Sequence, residues 1–270
     1  PMTSAALIVN RMFTPRRPIS RGVTLGAGSI LSGGILLAWC VGTYGGLADP
    51  LFLPAPHRVV GAFWHSLMDG SLLRNTWASL LVINVGFLLS SLVAVPLGIL
   101  MGSFRVVAAA LEPIVNFTRY LPVTSMIPLL ILWIGIGFEE KVAVIFIGTF
   151  FQQIVMISDV SARVPAELFN ASYTLGATRW QVITRMLLPA TLPGVMDTLR
   201  VTMGWAWTYL VVAELVASSS GLGYMSMQAM RGLHAEYIFV GILVIGLLGL
   251  ATDQIFKWIK IVCLPWAEQR

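Results

Sequence analysis

The sequence contains few charged residues. Only 11% of its 270 residues are Asp, Glu, Lys or Arg, while 57% are hydrophobic; an average soluble domain has about 25% and 45–50%. The 17 basic and 12 acidic side chains are too few to cover a soluble globule of this size. Water-soluble classes are therefore excluded, and the fold class predicted is an all-α integral membrane protein with about six transmembrane helices.

Cysteine, histidine and lysine are also scarce. Cys40 and Cys263 have neither CxxC nor metal-ligand spacing, and His57, His65 and His234 are scattered, so we expect no disulfide and no metal site. None of the three lysines follows a glycine-rich loop, and no G-x-x-x-x-G-K-[ST] motif is present. The chain is therefore expected to bind no ATP and no other cofactor.

The basic residues indicate topology rather than nucleic-acid binding. The net charge is +5, and the basic residues lie at the ends of apolar stretches and form no basic face with interleaved aromatics. With both termini placed in the cytoplasm, 13 of the 17 basic residues lie inside, and the exceptions are Arg58, Arg74, Lys141 and Arg231. The positive-inside rule therefore predicts cytoplasmic termini.

Apolar stretches predict six spans, at 22–48, 75–104, 120–138, 142–158, 201–230 and 237–252. The first is too long for a signal-peptide core and is expected to be retained, and Pro1 before Met2 is interpreted as a tag remnant. Pro96 is expected to kink the second span, and Pro122 and Pro128 to break the third. No internal repeat is evident, which disfavours a secondary transporter.

The segment 159–200 between the fourth and fifth spans is far longer than a connection requires. Residues 166–175 favour a helix, and Gly176 can take the left-handed conformation that ends it. Thr178 and Gln181 fit a capping box that starts a second helix, which Pro189 and Pro193 are expected to close. The residues themselves leave two alternatives open: a helix pair on the membrane surface or a protein contact.

Two stretches in this segment resemble a known motif. Residues 170–176, a nine-residue interval and residues 186–189 resemble the EAA loop of ABC importer permeases, E-A-A-x3-G-x9-I-x-L-P. The spacing matches throughout, with Asn170 in place of Glu, Ser172 in place of the second Ala and Met186 in place of Ile. Glu167, three residues before Asn170 on the same helix face, is a possible substitute for the missing glutamate.

Downstream stretches narrow the resemblance, which spans residues 76–258. Residues 198–207, 212–215 and 220–225 resemble the nitrate, sulfonate, taurine and bicarbonate branch of these permeases. Residues 208–212 and 249–253 resemble the nitrate and bicarbonate permeases most. The resemblance therefore implies transport of a small oxyanion, nitrate first, with sulfonate, taurine or bicarbonate as alternatives.

The resemblance also implies an architecture and partners. It implies a type I (MetI-like) permease fold in the bacterial inner membrane, with a cytoplasmic segment 1–21, a transmembrane domain 22–258 surrounded by lipid, and a cytoplasmic tail 259–270. Two ATPase subunits would supply ATP and Mg²⁺ chemistry, a second permease chain would complete a homodimer, and an extracytoplasmic solute-binding protein would deliver the solute. The residues implied to contact the ATPase are Glu167, Asn170, Ala171, Ser172, Gly176, Ala177, Leu188 and Pro189.

Polar residues within the spans are candidates for the translocation pathway. Glu214 is the only carboxylate inside an apolar stretch, and it could gate the pathway or accept hydrogen bonds from a neighbouring span. The same two interpretations, pathway lining or helix packing, apply to a set of amides and hydroxyls: Thr124, Ser125, Gln152, Gln153 and Thr208.

Two other function classes are less well supported. A membrane hydrolase could use residues 218–220 with His234, but no G-x-S-x-G elbow is present and the serines are expected in an outer turn. A channel or proton-coupled carrier is the second alternative. A co-purifying ATPase subunit would separate the importer from both.

Overall fold

The computed structural model describes residues 20–216 and 218–267, and within those residues it has helices and no β-strand. The predicted all-α fold is therefore confirmed. Residues 1–19, which include Pro1 and most of the predicted N-terminal segment, lie outside the described part.

The helices are α1 Arg21–Tyr44, α2 Pro56–Met68, α3 Ser71–Ser103, α4 Arg105–Thr118, α5 Val123–Ile134, α6 Phe138–Ala162, α7 Ala166–Thr174, α8 Arg179–Gln181, α9 Leu188–Val216, α10 Leu222–Arg231 and α11 Ala235–Cys263. A π-helical turn, Val182–Leu187, joins α8 to α9, and a 3-10 turn, Pro265–Ala267, follows α11.

Four of the described helices, α1, α3, α6 and α11, are long and apolar enough to cross a membrane. The pair α4 and α5 makes a fifth span if it is counted as one, although its two helices are bent by 92°. Helix α9 has 29 residues but is not among the four, and it contains Asp197, Arg200 and Glu214. The six apolar stretches thus correspond to four clear spans, one broken pair and one more polar long helix.

The third predicted span, 120–138, is not a single helix. A turn at residues 119–121 separates α4 from α5, and Pro122 is the residue that precedes α5. Because proline has no backbone N–H and restricts the residue before it, the break at Pro122 agrees with the sequence. Pro128, by contrast, lies inside α5 and does not end it.

The described residues divide into two compact units, with the boundary between residues 60 and 61. In the first unit, the Ser20 side chain caps α1 by accepting a hydrogen bond from the backbone N–H of Val23. The Trp39 indole N–H donates to the carbonyl oxygen of Pro54 at 3.0 Å. This bond holds the chain that follows α1 against that helix.

The core of the second unit is a close parallel pair formed by α3 and α6. A Cβ atom added at Gly86 would lie 2.8 Å from Cβ of Ile145, and one added at Gly98 would lie 2.8 Å from Cβ of Ile157. Both contacts join residues 59 positions apart, so the two helices run in the same direction with a constant offset. Small residues at such a crossing let the backbones approach, which is how helices pack when lipid removes the hydrophobic driving force.

Helix α9 packs against this pair and is linked to α11. A Cβ atom added at Gly148 of α6 would lie 2.6 Å from the ring of Tyr209, so α6 and α9 also approach closely. At the other end of α9, the Arg200 guanidinium pairs with Asp253, and Lys260 Nζ lies 2.7 Å from Asp197. These ion pairs tie α9 to α11 at the end that joins the α7–α8 segment.

Candidate functional site

The segment between α6 and α9 is shorter than the predicted loop 159–200. Helix α6 continues to Ala162 and α9 begins at Leu188, so both ends of the predicted segment belong to long helices. The expectation that Pro189 and Pro193 close the second short helix is wrong. Pro189 lies in the first turn of α9, directly after the π-helical turn, and Pro193 is accommodated further inside the same helix.

The predicted glycine elbow is confirmed. Helix α7 ends at Thr174, and Gly176 has φ of +80°. The Ala177 N–H donates to the carbonyl oxygen of Ser172 at 3.0 Å, which closes the end of α7. A glycine is favoured here because a left-handed backbone strains residues that carry a Cβ.

The predicted capping box is also present. The Gln181 N–H donates to Thr178 Oγ1 at 3.4 Å, and the Thr178 N–H donates to Gln181 Oε1 at 2.8 Å. The α-helix that this box starts has only three residues before the π-helical turn takes over. Short helices and a fixed elbow thus give the segment a defined shape.

This segment leaves large apolar side chains exposed. Leu175 is 88% exposed and Trp180 is 71% exposed, and no residue of α7 is buried. Beside them lies a concavity of about 400 Å³, lined by Ser172, Leu175, Gly176, Ala177, Gln181, Val182, Arg185 and Met186. Exposed apolar side chains around a concave surface are typical of an interaction site.

The residues of the EAA-like motif fall into two groups. Glu167, Asn170, Ala171 and Gly176 are exposed, and Ser172 and Ala177 are half-buried. Leu188 and Pro189 are half-buried at the start of α9, and Leu188 packs against the apolar cluster that includes Ile157. The first group thus presents a surface, and the second anchors that surface to the helix bundle.

Glu214 is buried and fully hydrogen-bonded. Its Oε1 accepts from Ser79 Oγ of α3 at 2.7 Å, and its Oε2 accepts from the backbone N–H of Gly223 at 2.8 Å. Gly221, with φ of +120°, passes so close that a Cβ there would collide with the carboxylate. These contacts correspond to the hydrogen-bonding role considered for Glu214, since the carboxylate links α3, α9 and α10.

Gln153 is also completely buried among polar partners. Its Oε1 accepts from Ser90 Oγ, and its Nε2 donates to Ser91 Oγ and to Thr202 Oγ1. Thr149 donates to Ser90 in turn. Gln153 therefore connects α3, α6 and α9, which is a helix-packing arrangement.

The remaining pathway candidates differ in exposure. Gln152 is half-buried, whereas Thr124, Ser125 and Thr208 are exposed on the described chain. The serine and histidine of the hydrolase alternative do not meet: in the described residues Ser218 bonds with Lys141 and Ser220, and His234 Nδ1 lies 3.7 Å from Glu236. No Ser–His dyad is formed among these side chains.

Lys141, which the sequence analysis used only to assign topology, lies in a buried position. Lys141 is 5% exposed and donates from Nζ to Ser218 Oγ at 3.0 Å. Its position at the edge of an apolar stretch was the feature of the sequence that could have indicated a role, because a charge there is costly unless it has a partner or a function.

Comparison with known proteins identifies the family. Residues 94–260 match the family described as the binding-protein-dependent transport system inner membrane component. The chain is 31% identical to the taurine transport system permease protein of Escherichia coli, over 97% of this chain and 98% of that protein. It is 32% identical to a putative aliphatic sulfonates transport permease protein of Bacillus subtilis, over 88% of this chain and 87% of that protein.

A solved structure supports the fold. A methionine ABC transporter in inward-facing conformations aligns with a TM-score of 0.58 at 23% identity, covering 71% of this chain and 97% of that chain. The chain therefore belongs to the family of binding-protein-dependent transport system inner membrane components. It is a membrane-embedded permease subunit of an ABC importer and not itself an enzyme, because in this family ATP hydrolysis belongs to partner ATPase subunits.

Proposed function

We propose that this permease moves a small oxyanion into the cell, with organic sulfonates, taurine included, as the first substrate class. Two relatives that align along most of the chain are named for taurine and for aliphatic sulfonates. Nitrate, which the sequence patterns at 208–212 and 249–253 favoured, is the second choice, because neither of these relatives is named for it. Bicarbonate ranks with nitrate on the same reasoning.

The segment from α7 to the start of α9 is the proposed contact with the ATPase subunits. The support is the exposed surface around Gly176, where Leu175 and Trp180 are largely uncovered beside a concavity. A membrane-surface helix pair would need a continuous lipid-facing stripe. The match to the EAA spacing favours the protein contact instead, and with it the proposed contact set from Glu167 to Pro189.

The remaining partners and the orientation follow from the same proposal. Two copies of the chain would form the membrane pore, and a solute-binding protein would deliver the oxyanion at the extracytoplasmic face. Both termini are proposed to be cytoplasmic, because 13 of the 17 basic residues then lie inside. Lys141, Ser218 and α10 would accordingly lie toward the extracytoplasmic end.

Uptake into vesicles tests the proposal. The complete transporter, reconstituted with its ATPase subunits and binding protein, should accumulate labelled taurine or ethanesulfonate only when ATP and Mg²⁺ are inside the compartment that holds the ATPase. Nitrate uptake in place of sulfonate uptake would support the second choice. ATP-driven uptake of a cation or a sugar, with no oxyanion carried, would contradict the oxyanion assignment.

A further inference from the structure

A concavity of about 320 Å³ lies at the start of α6, away from the α7–α8 segment. Its walls include Ala78 and Leu81 of α3, residues 136–138, Lys141, and the serine turn 218–220. Its volume lies at the lower end of the range of about 300–1,000 Å³ that is typical of small-molecule sites. The concavity combines a buried cation with several hydroxyl groups, which neither the family assignment nor the pathway candidates explain.

The Lys141 ammonium has hydrogen-bonding capacity left. It is nine-tenths buried, and among the described residues its single hydrogen-bond partner is Ser218 Oγ, at 3.0 Å. An ammonium has three donors, so two N–H groups have no partner on the described chain. No carboxylate of the described residues lies within ion-pair distance of Nζ.

The serine turn offers further donors. The Ser218 hydroxyl is already engaged, because it donates to the carbonyl oxygen of Ser220 and accepts from the Ser220 N–H and from Lys141. Ser219 and Ser220 also line the concavity, and their hydroxyl groups make no hydrogen bond within the described structure. The cavity also borders the first turn of α6, the positive end of a 25-residue helix.

Two carboxylates influence this site from a distance. Glu140 and Glu214 both interact electrostatically with Lys141. Neither lines the concavity, and the Glu214 oxygens are occupied by Ser79 and Gly223.

A second concavity of about 230 Å³ adjoins the first one. It shares Ile136, Ser218 and Ser219 with it, and its lining also includes Glu214 and Arg231. Two of the four basic residues that the proposed topology places outside therefore line concavities that share Ser218 and Ser219.

We propose that Lys141 and the serine turn 218–220 form a binding site for the oxyanion group of the transported solute. The ammonium would supply charge-assisted hydrogen bonds, and the Ser219 and Ser220 hydroxyls would bind the remaining oxygens. The proposal rests on the oxyanion function proposed above. It adds a specific recognition site on the permease itself.

Protection from chemical modification tests binding directly. The complete purified transporter is acetylated with N-succinimidyl acetate, and the rates at Lys141, Lys257 and Lys260, the only lysines in the chain, are followed by mass spectrometry. Ethanesulfonate is the probe because it contains no amine. At twice its dissociation constant, it should slow acetylation of Lys141 about threefold, relative to chloride at equal ionic strength, and leave the other two lysines unchanged.

Other results would contradict either the binding site or the transport function. Equal protection of Lys141 by chloride would identify an unspecific anion effect and overturn the proposal. Protection by ethanesulfonate in a transporter that carries no oxyanion would refute the transport function but leave the binding site standing.

Variants then connect binding to transport. Lys141→Met keeps the length and the burial of the side chain but removes the charge, and it should lower oxyanion uptake about tenfold or more while ATP hydrolysis stays within about twofold. Lys141→Arg should restore most of the uptake. Lys257→Met, which removes the same charge from α11, is the matched control. Equal uptake in Lys141→Met and Lys257→Met would overturn the role of Lys141.

Discussion

The Glu214 carboxylate accepts a hydrogen bond from the backbone N–H of Gly223, 2.8 Å away and nine residues later in the chain. Between the two residues the chain turns and enters α10. The second carboxylate oxygen accepts from Ser79 of α3, whose hydroxyl oxygen in turn accepts from the N–H of Leu222. Glu214 thus satisfies the first turn of α10 and ties it to α3.

Removing this carboxylate should destabilise the protein. Glu214→Ala leaves two buried donors, the Ser79 hydroxyl and the Gly223 N–H, without partners, at a cost of about 1–3 kcal/mol each. Glu214→Gln keeps one acceptor, so the loss should be smaller. The measurement is the thermal unfolding temperature of the purified transporter, with Glu139→Ala, which changes an exposed carboxylate, as the control.

The same variants separate packing from gating. If the charge of Glu214 also gates the pathway, Glu214→Gln should lose more transport than its unfolding temperature would account for. Normal uptake by a stable Glu214→Gln variant would leave Glu214 with the packing role alone.

The glycines between α3 and α6 provide a second test. In Gly98→Ala, the new Cβ would lie 2.8 Å from Cβ of Ile157 and 3.0 Å from the carbonyl oxygen of Ile154, so the helices must separate. Overpacking of this kind costs about 1–3 kcal/mol. Gly204→Ala is the matched control, because it is also helical and has nothing within 4 Å of the new Cβ.

Unfolding temperatures of the two variants decide the matter. Gly98→Ala should unfold at a lower temperature than the parent, whereas Gly204→Ala should be unchanged or slightly more stable, since alanine favours a helix by about 0.5–1 kcal/mol. Equal behaviour of the two would show that the close α3–α6 crossing contributes little.

Local signals in the sequence predicted local structure well. Gly176, Thr178 and Gln181 act over a few residues through backbone sterics and capping bonds, so their spacing alone predicts the elbow and the capping box. Charge depletion likewise predicts a helical membrane protein, because apolar helices satisfy their own backbone in lipid.

Features that depend on distant contacts were not predictable in this way. Pro189 and Pro193 follow a short helix, and nothing local shows that the chain continues through a π-helical turn into α9. The partners of Lys141 and Gln153 lie 77 and up to 63 residues away, so their packing depends on how the helices associate. The break of the third span at Pro122 was visible, but the 92° angle was not.

Cysteine labelling tests the proposed orientation. In a background without Cys40 and Cys263, single cysteines at Lys260 and at Arg17, the latter outside the described residues, should resist an impermeant reagent added outside. A cysteine at Arg74, near the start of α3, should react. Labelling of position 260 from outside, with position 74 protected, would show that the topology is the reverse of the proposed one.

Gly176 provides the sharpest test of the α7–α8 segment. Its φ of +80° is unfavourable for a β-branched residue, so Gly176→Val should be strained by about 1–2 kcal/mol. A side chain here would meet no other part of this chain, because a Cβ would have nothing within 4 Å. The strain is therefore purely conformational, and the elbow would relax by re-aiming α8.

Insertion into the membrane should be unaffected, because Gly176 is exposed and lies outside the membrane-spanning helices, while ATPase capture and transport should be lost together. Gly176→Asn is the matched control: asparagine tolerates the left-handed region better, so it should retain much of the coupling. The measurement is the amount of ATPase that co-purifies with each permease variant at equal expression, followed by uptake. Undiminished capture and uptake in Gly176→Val would show that the elbow does not couple the permease to ATP hydrolysis, and a membrane-surface position for α7 and α8 would then be favoured.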